Sequence, residues 1–195
     1  MYLQQDSVGL AIKAIGSDEI VGLPTETVYG LAVNPYSTIA VKKLFELKER
    51  DDDNPVSLLV DSYETFKTLD IVSYSEEVLS LYWPGPLTVV VETNERFANG
   101  IGTTNPNSIG VRVPDHIAAL DFLKHTGPLA VTSANKSGEK EATSHHEAES
   151  IFNTSIAFYI EGNSSINLAS TVVDLRVQGG KILRQGSLLW PPSYC

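Results

Sequence analysis

Two hydroxyls, a carboxylate and a phenol stand close together near the start of the chain. Residues 24–31 read Pro-Thr-Glu-Thr-Val-Tyr-Gly-Leu and follow directly after a short apolar segment. In open α/β sheets, ligands bind at the loops that leave strand ends. The pattern is equally typical of a turn whose hydroxyls bond to the backbone, so both interpretations stand at this point.

Two cations, Lys48 and Arg50, lie at the end of a predicted helix. Cations at a helix C-terminus interact favourably with the helix dipole, which is the simpler explanation. The same pair suits phosphate oxygens, because arginine binds them through a planar fork and lysine as a point charge. The acidic run Asp51–Asp53 follows at once and could attract a cation. A solvated turn is the simpler interpretation, and we predict no protein metal site.

Small polar residues follow a second apolar segment, at Thr132-Ser133-Ala134-Asn135. They could present a hydroxyl, an amide and backbone N–H groups to a ligand, or form an ordinary helix N-cap or Asx-turn. Arg112 and Arg184 stand in otherwise apolar strand-like segments. A buried arginine needs a counter-charge or a bound anion. A salt bridge is the commoner case, but two such arginines in one small chain favour an anion site.

Several common site patterns are absent from the sequence. It contains neither a Gly-rich Walker A loop nor a G-x-G-x-x-G fingerprint, so a P-loop or Rossmann nucleotide site is not supported. His145-His146 has no cluster of further ligands around it in the sequence, and no Ser-His-Asp arrangement can be justified.

Apolar segments of strand length alternate with segments of helical period. This pattern predicts an α/β protein with an open, twisted, mixed sheet and helices packed on it. The predicted helices cover 7–15, 38–47, 75–82, 115–124 and 145–152, and the predicted strands cover 19–23, 56–60, 87–92, 109–113, 129–132, 156–160, 171–175 and 181–184. Residues 83–86, Trp-Pro-Gly-Pro, predict a rigid turn.

Composition indicates a globular intracellular protein. The chain has 195 residues, of which 42% are hydrophobic and 19% charged, and we expect a single domain over residues 1–195. The lone Cys195 excludes an internal disulfide framework, and no apolar run is long enough for a membrane span, so we expect a cytoplasmic protein. A net charge of −10 opposes strong direct binding of nucleic acid.

In order and in register, these segments resemble the YrdC-like family of threonylcarbamoyl-AMP synthases. The resemblance runs from about residue 20 to residue 187. It rests on PTETVYGL (24–31), Lys48-x-Arg50 followed by Asn54-Pro55, WPGPLT (83–88), GVRVPDH (110–116), TSAN with Ser137-Gly138 (132–138), STVVD (170–174) and ILRQG (182–186).

The resemblance implies a nucleotidyltransferase of the short, single-domain form. It would make L-threonylcarbamoyladenylate from ATP, L-threonine and bicarbonate, with Mg²⁺ accompanying ATP, and pass the product to a partner enzyme that modifies tRNA. Lys48 and Arg50 would be catalytic. Carried over by position, the ATP contacts would be Lys48, Arg50, Asn54, Ser133, Asn135 and Arg184, and the threonine contacts would be Thr27, Arg112, Val131 and Ser170.

The chain departs from the family pattern beside the predicted phosphate site. Asp51, which Asp52 and Asp53 follow, stands where relatives usually have proline after the arginine, and Leu59 stands where many have histidine. Two other functions therefore stay open. One is a paralogue that makes another carbamoyl-adenylate or hydrolyses ATP, and the other is an RNA-binding module.

Overall fold

The computed structural model describes residues 5–49, 55–72, 74–102 and 108–190. Arg50, Asp51–Asp53, Asn54 and Cys195 lie outside the described residues.

Six α-helices lie in the described part of the chain. They are α1 (Gln5–Gly16), α2 (Thr38–Lys48), α3 (Tyr63–Lys67), α4 (Glu76–Tyr82), α5 (Ile117–Thr126) and α6 (His145–Phe152). Serine N-caps start most of them: the side chain of Ser37, for example, accepts a hydrogen bond from Ala40 N at 3.1 Å. Helix α2 ends where Glu49 adopts the left-handed conformation with φ 52°.

Nine strands of the described residues form one sheet. They are β1 (Val21–Leu23), β2 (Gly30–Val33), β3 (Ser57–Leu59), β4 (Leu87–Glu92), β5 (Ser108–Arg112), β6 (Leu129–Ser133), β7 (Phe158–Tyr159), β8 (Thr171–Asp174) and β9 (Lys181–Arg184). Their order across the sheet is β7-β1-β2-β6-β3-β5-β4-β8-β9. Three neighbouring pairs are parallel and five are antiparallel, so the predicted mixed α/β sheet is confirmed.

Helices cover both faces of the sheet. Along β2, Leu31 and Val33 join the core that includes α2, whereas Ala32 joins the core that includes α1 and α5. This alternation follows from the two-residue period of a strand. Because β2 is buried on both faces, its side chains read as a continuous apolar run rather than as alternating polar and apolar residues.

The element predictions were wrong in three places. Strand β2 begins at Gly30, inside the segment interpreted as a loop, and the short helix α3 was not predicted. The strand predicted over 156–160 is reduced to Phe158–Tyr159, because only these two residues pair with β1. The predicted turn at residues 83–86 stands between α4 and β4.

Candidate active site

A cavity that is partly open to solvent lies where several strands end. The β1–β2 loop, β6 and the ends of β5 and β9 meet there, together with the residue that precedes β8. Most of the polar side chains that line it carry hydroxyl groups. These are Thr25, Thr27, Ser57, Thr88, Thr132, Ser133 and Ser170.

Arg112, the last residue of β5, lines the cavity and is only 5% exposed. Its Nε donates to Gly85 O at 3.0 Å, and its Nη1 donates to Thr27 Oγ1 at 2.8 Å. Its Nη2 lies 2.5 Å from Glu26 Oε2. The salt bridge that we considered the commoner case is therefore present. It does not remove Arg112 from the cavity lining, and the two hydrogen bonds use only two of the five N–H groups of the guanidinium.

Thr27 lies in the β1–β2 loop and is fully buried beside Arg112. Its hydroxyl oxygen is 2.9 Å from Thr25 Oγ1, and Thr25 Oγ1 donates to Val28 O at 2.6 Å. The first polar segment of the sequence is thus a hydroxyl turn, and it also lines the cavity. Ligand binding by this segment stays a prediction.

Arg184 and Ser170 lie at another side of the cavity, with Val131 of β6 also in the wall. Arg184 Nη2 donates to Ser170 O at 2.9 Å and lies 3.2 Å from Ser170 Oγ. Ser170 Oγ is in turn 2.8 Å from Thr88 Oγ1. Arg184 therefore depends on the backbone before β8 for its position, and its charge faces the cavity.

Lys48 is buried and does not line the cavity, whereas the sequence predicted a contact with ATP. It is 2% exposed, and its ammonium group contacts Ser133 O, Asn135 O at 2.8 Å and Asn135 Oδ1 at 2.9 Å. Ser133 Oγ also donates to Asn135 Oδ1 at 2.7 Å. Three oxygens of the Ser133–Asn135 turn thus surround the charge. These contacts favour a role in holding the turn, and the predicted catalytic role of Lys48 stays a prediction.

The Ser133–Asn135 turn is not a helix N-cap, which was one of the alternatives. Strand β6 runs to Ser133, and the next helix, α6, is capped by Ser144. Asn135 instead bonds within its own loop: Nδ2 donates to Lys136 O at 3.0 Å and to Glu139 O at 2.8 Å. Ser133 lines the cavity. Asn135 and Lys48 are not in the lining, but their hydrogen bonds hold the turn that presents Ser133.

Of the predicted site residues, the structure therefore gathers Thr27, Arg112, Val131, Ser133, Ser170 and Arg184 around one cavity. Arg50 and Asn54 lie outside the described residues. The substrate contacts assigned to all of these residues stay predictions.

Sequence reasoning assigned no individual role to four residues that the structure places at the site, namely Thr25, Glu26, Thr88 and Glu141. Three of them stand in motifs that were quoted, but nothing in the sequence distinguished their roles. Glu141 lines the cavity near Arg184 and is the one acidic side chain in its lining among the described residues.

Burial lowers the pKa of Arg112, while the charge of Glu26 opposes that shift. Partial burial likewise lowers the pKa of Arg184, and the carboxylate of Glu141 opposes it. Both guanidinium groups remain charged at neutral pH because an arginine pKa starts so high. The cavity therefore presents two cations, one of them already paired with a buried carboxylate.

Within the described ranges, no group of three or more His, Cys, Asp or Glu side chains is arranged to hold a metal ion. In the same ranges, every helix is too short or too polar to cross a bilayer.

The chain is similar to named proteins over most of its length. It is 35% identical over 190 residues to the threonylcarbamoyl-AMP synthase of Pyrococcus abyssi, covering 95% of this chain and 56% of that protein. It is 33% identical over 188 residues to a putative threonylcarbamoyl-AMP synthase of Mycobacterium tuberculosis, covering 94% of this chain and 86% of that protein. The chain thus spans just over half of one relative and most of the other.

A solved structure supports the same relationship. The crystal structure of P. abyssi Sua5 complexed with L-threonine superimposes with a TM-score of 0.84 at 32% identity, covering 95% of this chain and 56% of that chain. The family Sua5_yciO_yrdC, described as "Telomere recombination", matches residues 13–186. Because it has the same fold as this relative and matches the family over most of its length, the chain belongs to the Sua5/YciO/YrdC family.

Proposed function

We propose that this protein is an L-threonylcarbamoyladenylate synthase, which joins L-threonine, bicarbonate and ATP with release of pyrophosphate. The observation that carries the proposal is the cavity itself. A buried arginine with two threonine hydroxyls stands on one side, and Ser133 and Arg184 stand on others. The names of its relatives, and the threonine bound in one of them, support the same reaction.

The amino acid would lie against Arg112, Thr27, Val131 and Ser170. Arg112 keeps N–H groups for a carboxylate, because its two hydrogen bonds to the protein use only two of the five that a guanidinium carries. Glu26 offsets the charge of Arg112, so a bound carboxylate meets a nearly neutral pair rather than a bare cation. Such a pair favours a zwitterionic ligand over a simple anion.

ATP would lie against Ser133, Arg184, Arg50 and Asn54, with Lys48 and Asn135 fixing the turn that presents Ser133. Arg184 supplies positive charge beside the cavity, where a phosphate group would be stabilised. Arg50 keeps its proposed catalytic role by resemblance.

The chemistry needs positioning more than covalent help. Threonine's amine adds to bicarbonate and loses water, which gives a carbamate. A carbamate oxygen then attacks the α-phosphorus of ATP, and the bond to the β-phosphate breaks to release pyrophosphate. The protein's part is to align nucleophile and leaving group and to stabilise developing negative charge.

Mg²⁺ would accompany ATP as its counter-ion. Proteins commonly hold Mg²⁺ through one or two carboxylates and the substrate's phosphates. Glu141 is the acidic side chain that lines the cavity in the described ranges, and it fits such a site. The ion would neutralise phosphate charge there.

The product would pass to a partner enzyme that transfers the threonylcarbamoyl group to tRNA. This proposal rests on the resemblance of the sequence motifs to the YrdC-like family.

Pyrophosphate release tests the proposed reaction. The protein is incubated with ATP, Mg²⁺, bicarbonate and each amino acid in turn. We expect release that requires both threonine and bicarbonate, with serine and valine as matched controls. Release without threonine, or with another amino acid alone, would instead indicate the paralogue considered above.

A further inference from the structure

The hydroxyl of Thr27 is held in one orientation by a chain of hydrogen bonds. Thr25 Oγ1 lies 2.6 Å from Val28 O. A carbonyl oxygen only accepts, so the single proton of the Thr25 hydroxyl must lie in that bond. Without a proton between them, two oxygens at this distance would repel each other.

The proton of Thr27 is therefore assigned as well. Thr25 Oγ1 is 2.9 Å from Thr27 Oγ1 and also accepts from Thr27 N at 3.3 Å. Because Thr25 has already given its proton to Val28 O, Thr27 must donate in the bond between the two hydroxyls. Thr25 Oγ1 then has one donor bond and two acceptor bonds, so its capacity is used up.

The hydroxyl of Thr27 can only accept a further hydrogen bond, because its proton is already used. Its oxygen donates to Thr25 and accepts from Arg112 Nη1 at 2.8 Å, which leaves one lone pair. Thr27 lines the cavity. A hydroxyl is ordinarily free to donate or accept, but here a ligand meets an acceptor.

We infer that Thr25 is a positioning residue that fixes Thr27 as an acceptor for the ligand's N–H. This inference rests on the proposed function, because it takes an α-amino acid as the ligand. Arg112 holds the carboxylate, and the neighbouring Thr27 oxygen takes an N–H from the amino group or from its carbamate. An α-amino acid carries both groups on one carbon, and Thr27 Oγ1 and Arg112 Nη1 are 2.8 Å apart.

The alternative orientation would be unfavourable for this ligand. If Thr27 donated into the cavity, its proton would face the N–H of the carbamate. A site with unmatched buried polar groups discriminates strongly against the mismatched ligand. The polarity set by Thr25 therefore selects amino acids over acids that lack the amino group.

The first test uses the wild-type protein and two ligands. The dissociation constant of L-threonine is measured by calorimetry, and 3-hydroxybutyrate, which is threonine without its amino group, is measured as a competitor. We expect threonine to bind at least about tenfold more tightly than 3-hydroxybutyrate, because the loss of one charge-assisted hydrogen bond changes a dissociation constant by about that factor. Equal binding of the two ligands would overturn the inference.

The second test compares Thr25→Val, Thr25→Ser and the control Thr68→Val. Valine has the shape of threonine without its hydroxyl, and Thr68 makes a similar side-chain bond, to Thr65 O at 2.7 Å, on the exposed surface. Thr25→Val should raise the dissociation constant of L-threonine about tenfold and change that of 3-hydroxybutyrate by less than about twofold. Thr25→Ser and Thr68→Val should keep the wild-type ratio.

A purely structural role of Thr25 would give a different result, because distortion of the cavity would weaken both ligands equally. That outcome would contradict the inference. If Thr25→Val does not fold, as judged by thermal unfolding, Thr25→Ala takes its place with the same expected ratio. Failure of the proposed function is distinguishable, since wild-type protein would then show no threonine-dependent pyrophosphate release.

Discussion

Arg112 and Arg184 both line the cavity, but their surroundings differ. Arg112 is held by three different partners and neutralised by Glu26, whereas Arg184 bonds to the backbone and hydroxyl of Ser170. Arg112 is therefore suited to a zwitterionic ligand, and Arg184 is suited to an anionic one.

Arg112→Lys should damage threonine binding and spare ATP binding. Lysine keeps the charge but loses the planar fork that reaches Gly85 O, Thr27 and Glu26 together. We expect the KM for threonine to rise about tenfold and the KM for ATP to change by less than about twofold. Steady-state pyrophosphate release measures both constants.

Arg176→Lys is the matched control for that change. Arg176 makes two 2.8 Å bonds to Asp174, but it does not line the cavity. Its replacement should leave both constants unchanged. An equal rise in both KM values for Arg112→Lys would contradict a separate amino-acid site.

Glu26→Gln should destabilise the protein. Glu26 and Arg112 are each about 6% exposed at their side chains, so the change leaves a buried charge without its partner. Breaking such a pair from one side costs about 3 kcal/mol of the free energy of unfolding. Urea unfolding measures the loss, and Glu64→Gln, at an exposed i,i+3 pair with Lys67, should leave the free energy of unfolding almost unchanged. Equal stability of the two variants would show that the buried pair is not structural.

The ends of β5 and β9, the β1–β2 loop and the Ser133–Asn135 turn position the site, and close packing between β2 and β6 shapes its wall. Gly30 starts β2 opposite Ser133 of β6. A Cβ atom on Gly30 would lie 2.7 Å from Val131 Cγ1, so glycine is needed there for close packing.

Gly30→Ala should therefore displace Val131 in the wall of the cavity. We expect a loss of about 1–3 kcal/mol in the free energy of unfolding, together with weaker threonine binding. Gly16→Ala serves as the control, because nothing lies within 4 Å of a Cβ at that position of α1. That variant should be neutral or slightly stabilising. If both variants are equally stable, the packing argument fails.

Lys48→Met should loosen the Ser133–Asn135 turn. The change leaves two carbonyl oxygens and the Asn135 side chain without their shared donor, at a cost of about 1–3 kcal/mol. The KM for ATP should rise because Ser133 is no longer fixed. Lys43→Met removes only a partly exposed pair with Glu19 and should change neither quantity. A lower kcat with unchanged stability and KM would instead support direct catalysis by Lys48.

The sequence was sufficient for most elements because their periods are clear, but not for the shortest ones. Helix α3 has five residues, too few to show a helical period, and β2 was hidden in a motif rich in turn-forming residues. The strand predicted at 156–160 was too long, because its length is limited by the three-residue partner β1.

Contacts between distant residues limited the site prediction in the same way. Thr27 and Arg112 are 85 positions apart, as are Ser133 and Lys48, and no local pattern joins them. Their residue types suggested a ligand site, but the pairing of Arg112 with Glu26 required the fold. The burial of Lys48 also required it, since a lysine at a helix end reads as solvated.

The whole molecule carries a net charge of −10, which disfavours binding to a nucleic acid. An acidic protein gains little from counterion release at a nucleic acid. We expect tRNA to bind more weakly than about 10 µM at physiological salt, with a shallow dependence on salt concentration. A salt-titrated binding assay measures this, and tight, steeply salt-dependent binding without turnover of ATP would favour the RNA-binding module.

We propose that threonine, bicarbonate and the adenylate of ATP are joined in one cavity. Mass spectrometry of the nucleotide product, after incubation with ¹³C-bicarbonate, ¹⁵N-threonine and ATP, tests it most directly. We expect an adenylate that carries both labels and forms in a one-to-one ratio with pyrophosphate. An unlabelled AMP, or ADP with phosphate, would contradict it.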